Sequence, residues 1–314
     1  MVFVRFKKFG KTDMSVSVVG YGAWELGGNW GPIEKENGVK ILNLAYDNGV
    51  NFFDTAPAYG RGQSEEIVGE FLKGKKREDL YIATKCGLEW DQKGRIRNNL
   101  KKERVLKEID DSLKRLKCDY VDLYQIHWPD PNTPLEETAE AIQQILDSKK
   151  ARYIGVSNFS AQQIETLIKY VDIVSTQNYY NLLVRDVEKE LFPVVDKYDL
   201  TVIPYSPLAK GLLTGKISKD YEPPKKDPRA MDEIFKNREL FVKSVEKVEE
   251  LKILANKIGR SLSQMAINWL SHHKQVSTVI AGSKDEKHVL ENIEAGSWEL
   301  SEDIYLKIEK IVGE

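Results

Sequence analysis

Cysteine is scarce in this sequence: Cys86 and Cys118 are the only two in 314 residues. Two isolated thiols build neither a disulfide framework nor a cysteine metal cluster. Histidine is nearly as rare, with four in the chain, and only His127 falls at the end of an apolar run, which argues against a hydrolytic metal centre of several imidazoles. Charge of one sign is not in excess: 47 basic residues face 49 acidic ones, a net charge of -2. That balance gives no general attraction to nucleic acid or anionic lipid. No apolar run approaches the roughly 18 residues of a membrane span, and the opening MVFVRFKKFG lacks the long apolar core of a secretory leader, so the expected location is the cytoplasm. No G-x-G-x-x-G follows an apolar run and no G-x-x-x-x-G-K-[ST] occurs, which leaves no Rossmann or P-loop nucleotide site.

What the chain does contain is material for a large core, with 41% hydrophobic and 31% charged residues. Short β-branched or aromatic runs, VVGYGAW, VNFFD, LYIATK, YVDLYQIHW, YIGVS, DIVSTQ, LTVIPYS and VSTVIAG, alternate with amphipathic helical segments. Alternation of this kind means parallel β/α units, and eight of them suggest a closed α/β barrel of the TIM (β/α)8 kind, occupying residues 1–314 as one domain. Every interval except the first is compatible with one helical crossover. Helix starts are read at Thr133-Pro134-Leu135-Glu136, at Ser160 with Gln163, at Ser261 with Gln264 and at Ser283-Lys284-Asp285-Glu286, the last with Val289, Leu290 and Ile293 on its buried face. The opening FVRFKKFGKTDMSVS turns at Gly10 and fits a β-hairpin on the barrel floor, about Gly211 to Phe241 reads as a long loop, and a helix opened by Ser301 is additional to the eight units.

In such a barrel the C-terminal ends of the strands face the active site. Asp54 ends VNFFD, Lys85 ends YIATK and His127 ends YVDLYQIH, with Tyr59 just beyond the second strand. Singly, each has an ordinary reading: a turn cap, a surface lysine, a hydrogen-bonded core histidine, a packing tyrosine. Together they suit proton delivery to a developing alkoxide. A lysine cation lowers the pKa of a neighbouring phenol, an aspartate keeps the lysine charged and oriented, and a histidine donates a hydrogen bond to the oxygen that gains charge.

The segments DTAPAYG, ATKCG, LYQIHWPDP, IGVSNFS, TQNYYNLL, PYSPLAKGLLTGK and IAGSKDEKHVLENI, in this order along nearly the whole chain, resemble the aldo-keto reductase superfamily. HWPDP and DTAPAYGRGQSEEIVGE are similar to its bacterial family 11. The resemblance implies NAD(P)H-dependent carbonyl reduction with Asp54, Tyr59, Lys85 and His127 as the catalytic set. It implies a cofactor held by Ser157, Asn158 and Gln177 at the carboxamide, by Tyr205 stacked on the nicotinamide, and by Trp24, Asp54, Ser206, Leu208, Gly211 and Lys216 around the ring and pyrophosphate. Gly282, Lys284, His288, Glu291 and Asn292 would meet the adenosine end, where Lys284 near a 2'-phosphate favours NADPH over NADH. Ala281 and His288 depart from the proline and glutamine common in relatives, which weakens that preference. Trp24, Trp30, Leu88, Trp90, Trp128 and Tyr179 are placed to line an apolar pocket for a small carbonyl substrate. The superfamily also contains channel-associated subunits, so a cofactor-sensing regulatory subunit is the alternative.

Overall fold

Runs buried on both faces become central parallel strands, and all eight apolar runs do so in the computed structural model, which describes residues 4–28, 30–91 and 95–313. Twelve strands are present among the described residues: β1 (Phe6–Lys8), β2 (Ser15–Ser17), β3 (Val19–Gly22), β4 (Phe52–Asp54), β5 (Tyr81–Cys86), β6 (Leu88–Trp90), β7 (Ile96–Asn98), β8 (Val121–Ile126), β9 (Ala151–Ser157), β10 (Ser175–Tyr179), β11 (Thr201–Tyr205) and β12 (Val279–Ile280). Eight form one sheet in the order β11-β10-β9-β8-β5-β4-β3-β12. The circle closes where Val202 N–H donates to the Gln275 carbonyl at 2.8 Å, beside a Val202–Val276 bridge. This is the TIM barrel expected.

The helices are α1 (Lys35–Asp47), α2 (Gln63–Phe71), α3 (Lys102–Leu116), α4 (Leu135–Asp147), α5 (Ala161–Leu167), α6 (Asp186–Glu190), α7 (Phe192–Tyr198), α8 (Glu233–Lys236), α9 (Arg238–Lys257), α10 (Leu262–His272), α11 (Glu286–Glu294) and the additional α12 (Glu302–Gly313). The first interval does hold a crossover helix, α1; its start is hidden because the capping residue, Glu34, makes no side-chain bond and Gly38 sits in its first turn. The long loop read from Gly211 is shorter than expected, since Asp232 caps α8 and Asn237 caps α9. Two capping boxes form as read, at Ser160 with Gln163 and at Ser261 with Gln264. Two do not. Thr133 Oγ1 bonds Asp130 instead, leaving Pro134 at the cap of α4, and Asp285 rather than Ser283 caps α11. On α11 the buried residues are Val289, Asn292 and Ile293, at the i, i+3, i+4 spacing of one helical face, while Leu290 falls beside that face and is exposed. Ser261→Ala, which removes one oxygen that satisfies a helix-end N–H, is expected to cost about 1 kcal/mol in urea unfolding; no measurable change would show that α10 is held by packing alone.

Period two decides what lines the barrel. Phe52, Ala83, Leu123 and Ile203 belong to one buried interior cluster. Two residues further along the same four strands stand Asp54, Lys85, Gln125 and Tyr205. The interior therefore changes from apolar to polar toward the strand C-termini. At the other end the β1–β2 hairpin, turning at Gly10 with φ 49°, inserts Phe9, Met14 and Val16 into that apolar cluster. Phe9 stacks on Phe52 with ring centroids 5.6 Å apart. Phe3, part of the expected hairpin, lies outside the described residues. Among the described residues, no helix is long and apolar enough to cross a membrane.

Candidate active site

Asp54 and Lys85, side by side on β4 and β5, form an ion pair with Nζ 2.5 Å from Oδ1, and each is at most 1% exposed. The other oxygen, Oδ2, accepts from Gln125 Nε2 and from Gln177 Nε2, both at 2.9 Å. A buried carboxylate thus meets three side-chain donors, which is what keeps it tolerable away from water. Gly155 opposite makes room for Gln125: a Cβ there would lie 3.2 Å from Gln125 Cγ and 2.4 Å from Ser175 Oγ. Lys85 Nζ also donates to the Thr55 carbonyl and to Tyr59 OH, each at 3.1 Å. The His127 ring stands edge-on to Tyr59 with centroids 5.8 Å apart. Asp54, Tyr59, Lys85 and His127 are therefore brought together.

Electrostatics correct one expectation. Burial raises the Tyr59 phenol above its ordinary value, and Lys85 opposes this without overcoming it. The phenol is a protonated group near neutrality. Burial pulls the Lys85 ammonium down most, but Asp54 and Tyr59 together outweigh it and hold the cation charged. Burial, aided by the Lys85 charge, lowers His127 well below its usual range, so its imidazole is neutral. A neutral ring keeps one N–H to donate.

Around this centre lie the residues expected to hold a cofactor. Ser157 Oγ donates to the Gln177 carbonyl at 2.9 Å, Asn158 Nδ2 to the His127 carbonyl at 3.1 Å, and Tyr205 OH to Asn158 Oδ1 at 2.9 Å. Tyr179 stacks on Tyr205 at 5.6 Å and donates to Asp232, so it backs Tyr205. Asp232 in turn pairs with Lys210 at 3.0 Å. After β11 the backbone enters the left-handed region at Ser206, Ala209 and Lys210, with φ of 51°, 47° and 52°. Non-glycine residues rarely hold such angles, at a cost of order 1 kcal/mol each, and they gather at ligand-clamping loops.

Across the mouth, Lys216 Nζ lies 3.5 Å from His288 Nε2, and Lys284 Nζ donates to the carbonyls of Trp30 and Gly31 at 2.7 and 2.9 Å. The Arg229 guanidinium covers Trp30 at 4.8 Å, and Trp24 meets Trp30 edge-on at 5.8 Å. Of the other expected pocket residues, Leu88 is buried, Trp90 is half-buried under Arg61, and Trp128 is 42% exposed. Leu208, Gly211 and Gly282 are half-buried; on α11, Glu291 is half-buried and Asn292 buried.

The sequence reading missed three features. The β6–β7 hairpin rises directly from β5 and is tied to the HWPDP segment by Asn98 Nδ2 donating to the Pro129 carbonyl at 2.7 Å. Gln125, the third donor to Asp54, was legible only as a member of the inward row with Leu123. Asp232 and Arg229 carried no signal in a segment read as loop.

An amide-and-hydroxyl cluster beside a buried Asp–Lys–Tyr–His group, with lysines farther out, is the donor set a nicotinamide dinucleotide needs. The family model described as "Aldo/keto reductase family" matches residues 18–312. The chain belongs to the aldo/keto reductase family. As a member of that family it is an NAD(P)H-dependent oxidoreductase. Among the family's curated members it is 34% identical to aldo-keto reductase YhdN of Bacillus subtilis (96% of this chain, 91% of that protein). It is 33% identical to the NADH-specific methylglyoxal reductase of Escherichia coli (93% and 94%). It is also 38% identical to a probable voltage-gated potassium channel subunit beta of Oryza sativa (93% and 91%). The solved glycerol dehydrogenase AKR11B4 of Gluconobacter oxydans superposes with a TM-score of 0.90 at 35% identity (98% and 95%), in keeping with the family 11 resemblance. An aldo-keto reductase of Klebsiella pneumoniae in complex with NADPH gives 0.78 at 25% identity (99% and 95%).

Proposed function

We propose that the protein reduces an aldehyde or ketone to its alcohol with NADPH, and that Tyr59 delivers the proton. The observation that carries the reading is the Tyr59 hydroxyl, protonated by burial and 3.1 Å from an ammonium that Asp54 keeps charged. When bound, the dihydronicotinamide supplies a hydride to the carbonyl carbon. Tyr59 gives its proton to the carbonyl oxygen, and Lys85 stabilises the phenolate left behind. The neutral His127 donates a hydrogen bond to the same oxygen as it gains charge. Ser157, Asn158 and Gln177 orient the carboxamide; Tyr205, braced by Tyr179, presents its ring to the nicotinamide. The strained loop from Ser206 to Gly211, with Lys216, covers the pyrophosphate.

Lys284 is the support for NADPH. Its ammonium sits at the start of α11, fastened to the carbonyls of Trp30 and Gly31, where a 2'-phosphate would be a stronger partner than neutral oxygens. Relatives divide on this point, since one is named NADH-specific and another was solved with NADPH. Lys284→Ala is expected to weaken NADPH about tenfold, worth ~1.4 kcal/mol, and NADH less than about twofold in fluorescence titrations. Equal weakening of both would remove the 2'-phosphate assignment.

The direct test is absorbance of NADPH and of NADH with a panel of aromatic and aliphatic aldehydes. Aldehyde-dependent oxidation, faster with NADPH, is the expected result. The likeness to the rice channel subunit favours one second reading, a cofactor-sensing subunit. Tight NADPH binding with no turnover on any aldehyde would favour that reading instead.

A further inference from the structure

Two buried carboxylates grip the outside of β5 where Lys85 faces in. Thr84 Oγ1 donates to Glu65 Oε1 on α2 at 2.6 Å, and the Gly87 N–H donates to Glu108 Oε2 on α3 at 2.9 Å. Glu65 is 0% exposed and Glu108 2%. Each is paired with a guanidinium of α3: Arg115 Nε lies 2.6 Å from Glu65 Oε2, and Arg104 Nη2 lies 3.3 Å from Glu108 Oε1. Apolar packing would fasten a helix to a strand without the cost of burying two charges. Their position suggests another use.

Glu108 holds the peptide between two site residues. Gly87 follows Cys86, and the Cys86 carbonyl accepts from the His127 N–H at 3.0 Å. One carboxylate therefore fixes the turn that leaves Lys85 and supports the backbone of His127. Unlike Glu65, Glu108 has an oxygen, Oε1, that accepts no hydrogen bond among the described residues. Glu108 also lines a cavity of about 140 Å³, with Pro57 and Arg61 from the two sides of Tyr59, Trp90 from the β6–β7 hairpin, and Arg104, Asp111 and Arg115 from α3. One water needs roughly 10–15 Å³ of such space, so the cavity can hold water against the face that this acid lines.

We propose that Glu108 is a positioning residue for Lys85 and His127, and that the charge on its carboxylate sets how firmly the strand end between them is held. This rests on the roles given to Lys85 and His127 above. An ionised acceptor binds an N–H about twice as strongly as a neutral one. Burial raises the Glu108 carboxyl to about 7; Arg104 and the Gly87 N–H oppose the rise, Glu65 adds to it, and Arg115 opposes it. The other titratable neighbours, the Cys86 thiol and the Tyr124 phenol, are pushed well up by burial and stay neutral there. The folded value lies above the ordinary 4.5, so this group's contribution to stability is lost as pH rises from 4.5 through about 7. Over the same range the ionised carboxylate tightens its hold on Gly87.

The test uses the full chain with Glu108→Gln, which keeps an acceptor but no charge, and Glu108→Ala, which keeps neither. In the wild type the Gly87 amide resonance is expected to titrate with a midpoint near 7, and in Glu108→Gln to stop titrating. In turnover, Glu108→Gln is expected to lose an inflection of kcat near that pH, with kcat about threefold lower above it, and Glu108→Ala to lose about tenfold in kcat with NADPH affinity unchanged. A Gly87 resonance indifferent to pH, a Glu108→Gln variant with the wild-type profile, or a loss confined to KM and cofactor affinity would each overturn the proposal. A titrating Gly87 in a protein that reduces no carbonyl would uphold the contact while rejecting the reaction, so the two failures are distinguishable.

Discussion

Tyr59→Phe should bind NADPH as the wild type does and turn over two to four orders of magnitude more slowly, roughly the span a positioned proton donor supplies. The substitution removes one oxygen from a half-buried ring and leaves the edge-on contact with His127 at 5.8 Å intact. Only the hydroxyl 3.1 Å from Lys85 Nζ is lost. Stopped-flow reduction of a reactive aromatic aldehyde, with cofactor affinity measured in parallel, separates chemistry from binding. Turnover within about threefold of wild type would mean that the proton comes from elsewhere, with the Lys85 ammonium and His127 the other donors at the site.

Asp54→Ala should be the most destabilising single change at the site. Asp54 accepts from Lys85, Gln125 and Gln177, and Lys85 itself is fully buried. Removing one member of a buried pair strands the other, at about 3–5 kcal/mol. The sign with pH follows from the forces on Lys85. In the wild type Asp54 is the largest influence raising the ammonium against burial. Without it burial prevails, and a lysine lowered in the folded state loses stability as pH falls below the ordinary value of 10.5. The deficit of Asp54→Ala should therefore shrink as pH rises toward 10. Asp54→Ala combined with Lys85→Met removes both charges and should recover much of the stability but none of the activity. A deficit below about 1 kcal/mol near neutrality would show that water, not the protein, solvates Lys85.

The barrel was legible because its strands are buried on both faces and read as short apolar runs. Asp54, Lys85 and His127 were legible because they end such runs. The direction of the Tyr59 shift was not, since the charge of Lys85 can be read from the chain but the degree of burial cannot. The β6–β7 hairpin was hidden for a similar reason: Glu89 and Arg97, paired at 2.6 Å, and the polar residues beside them look like loop until they face each other. Thr133 had the right spacing for a cap, yet Asp130 took its hydroxyl. The fastening of Lys284 to Trp30 and Gly31 joins the two ends of the chain, and no local pattern announces it.

The Phe9 stopper beneath Phe52 makes the barrel a vessel with a single door. Whatever reaches Asp54 must pass the same rim as whatever leaves it. Two ligands sharing one entrance cannot come and go independently when one lies beneath the other. The hairpin at the far end of the molecule leaves no second way through, because Phe9, Met14 and Val16 fill the floor with the interior residues they pack against.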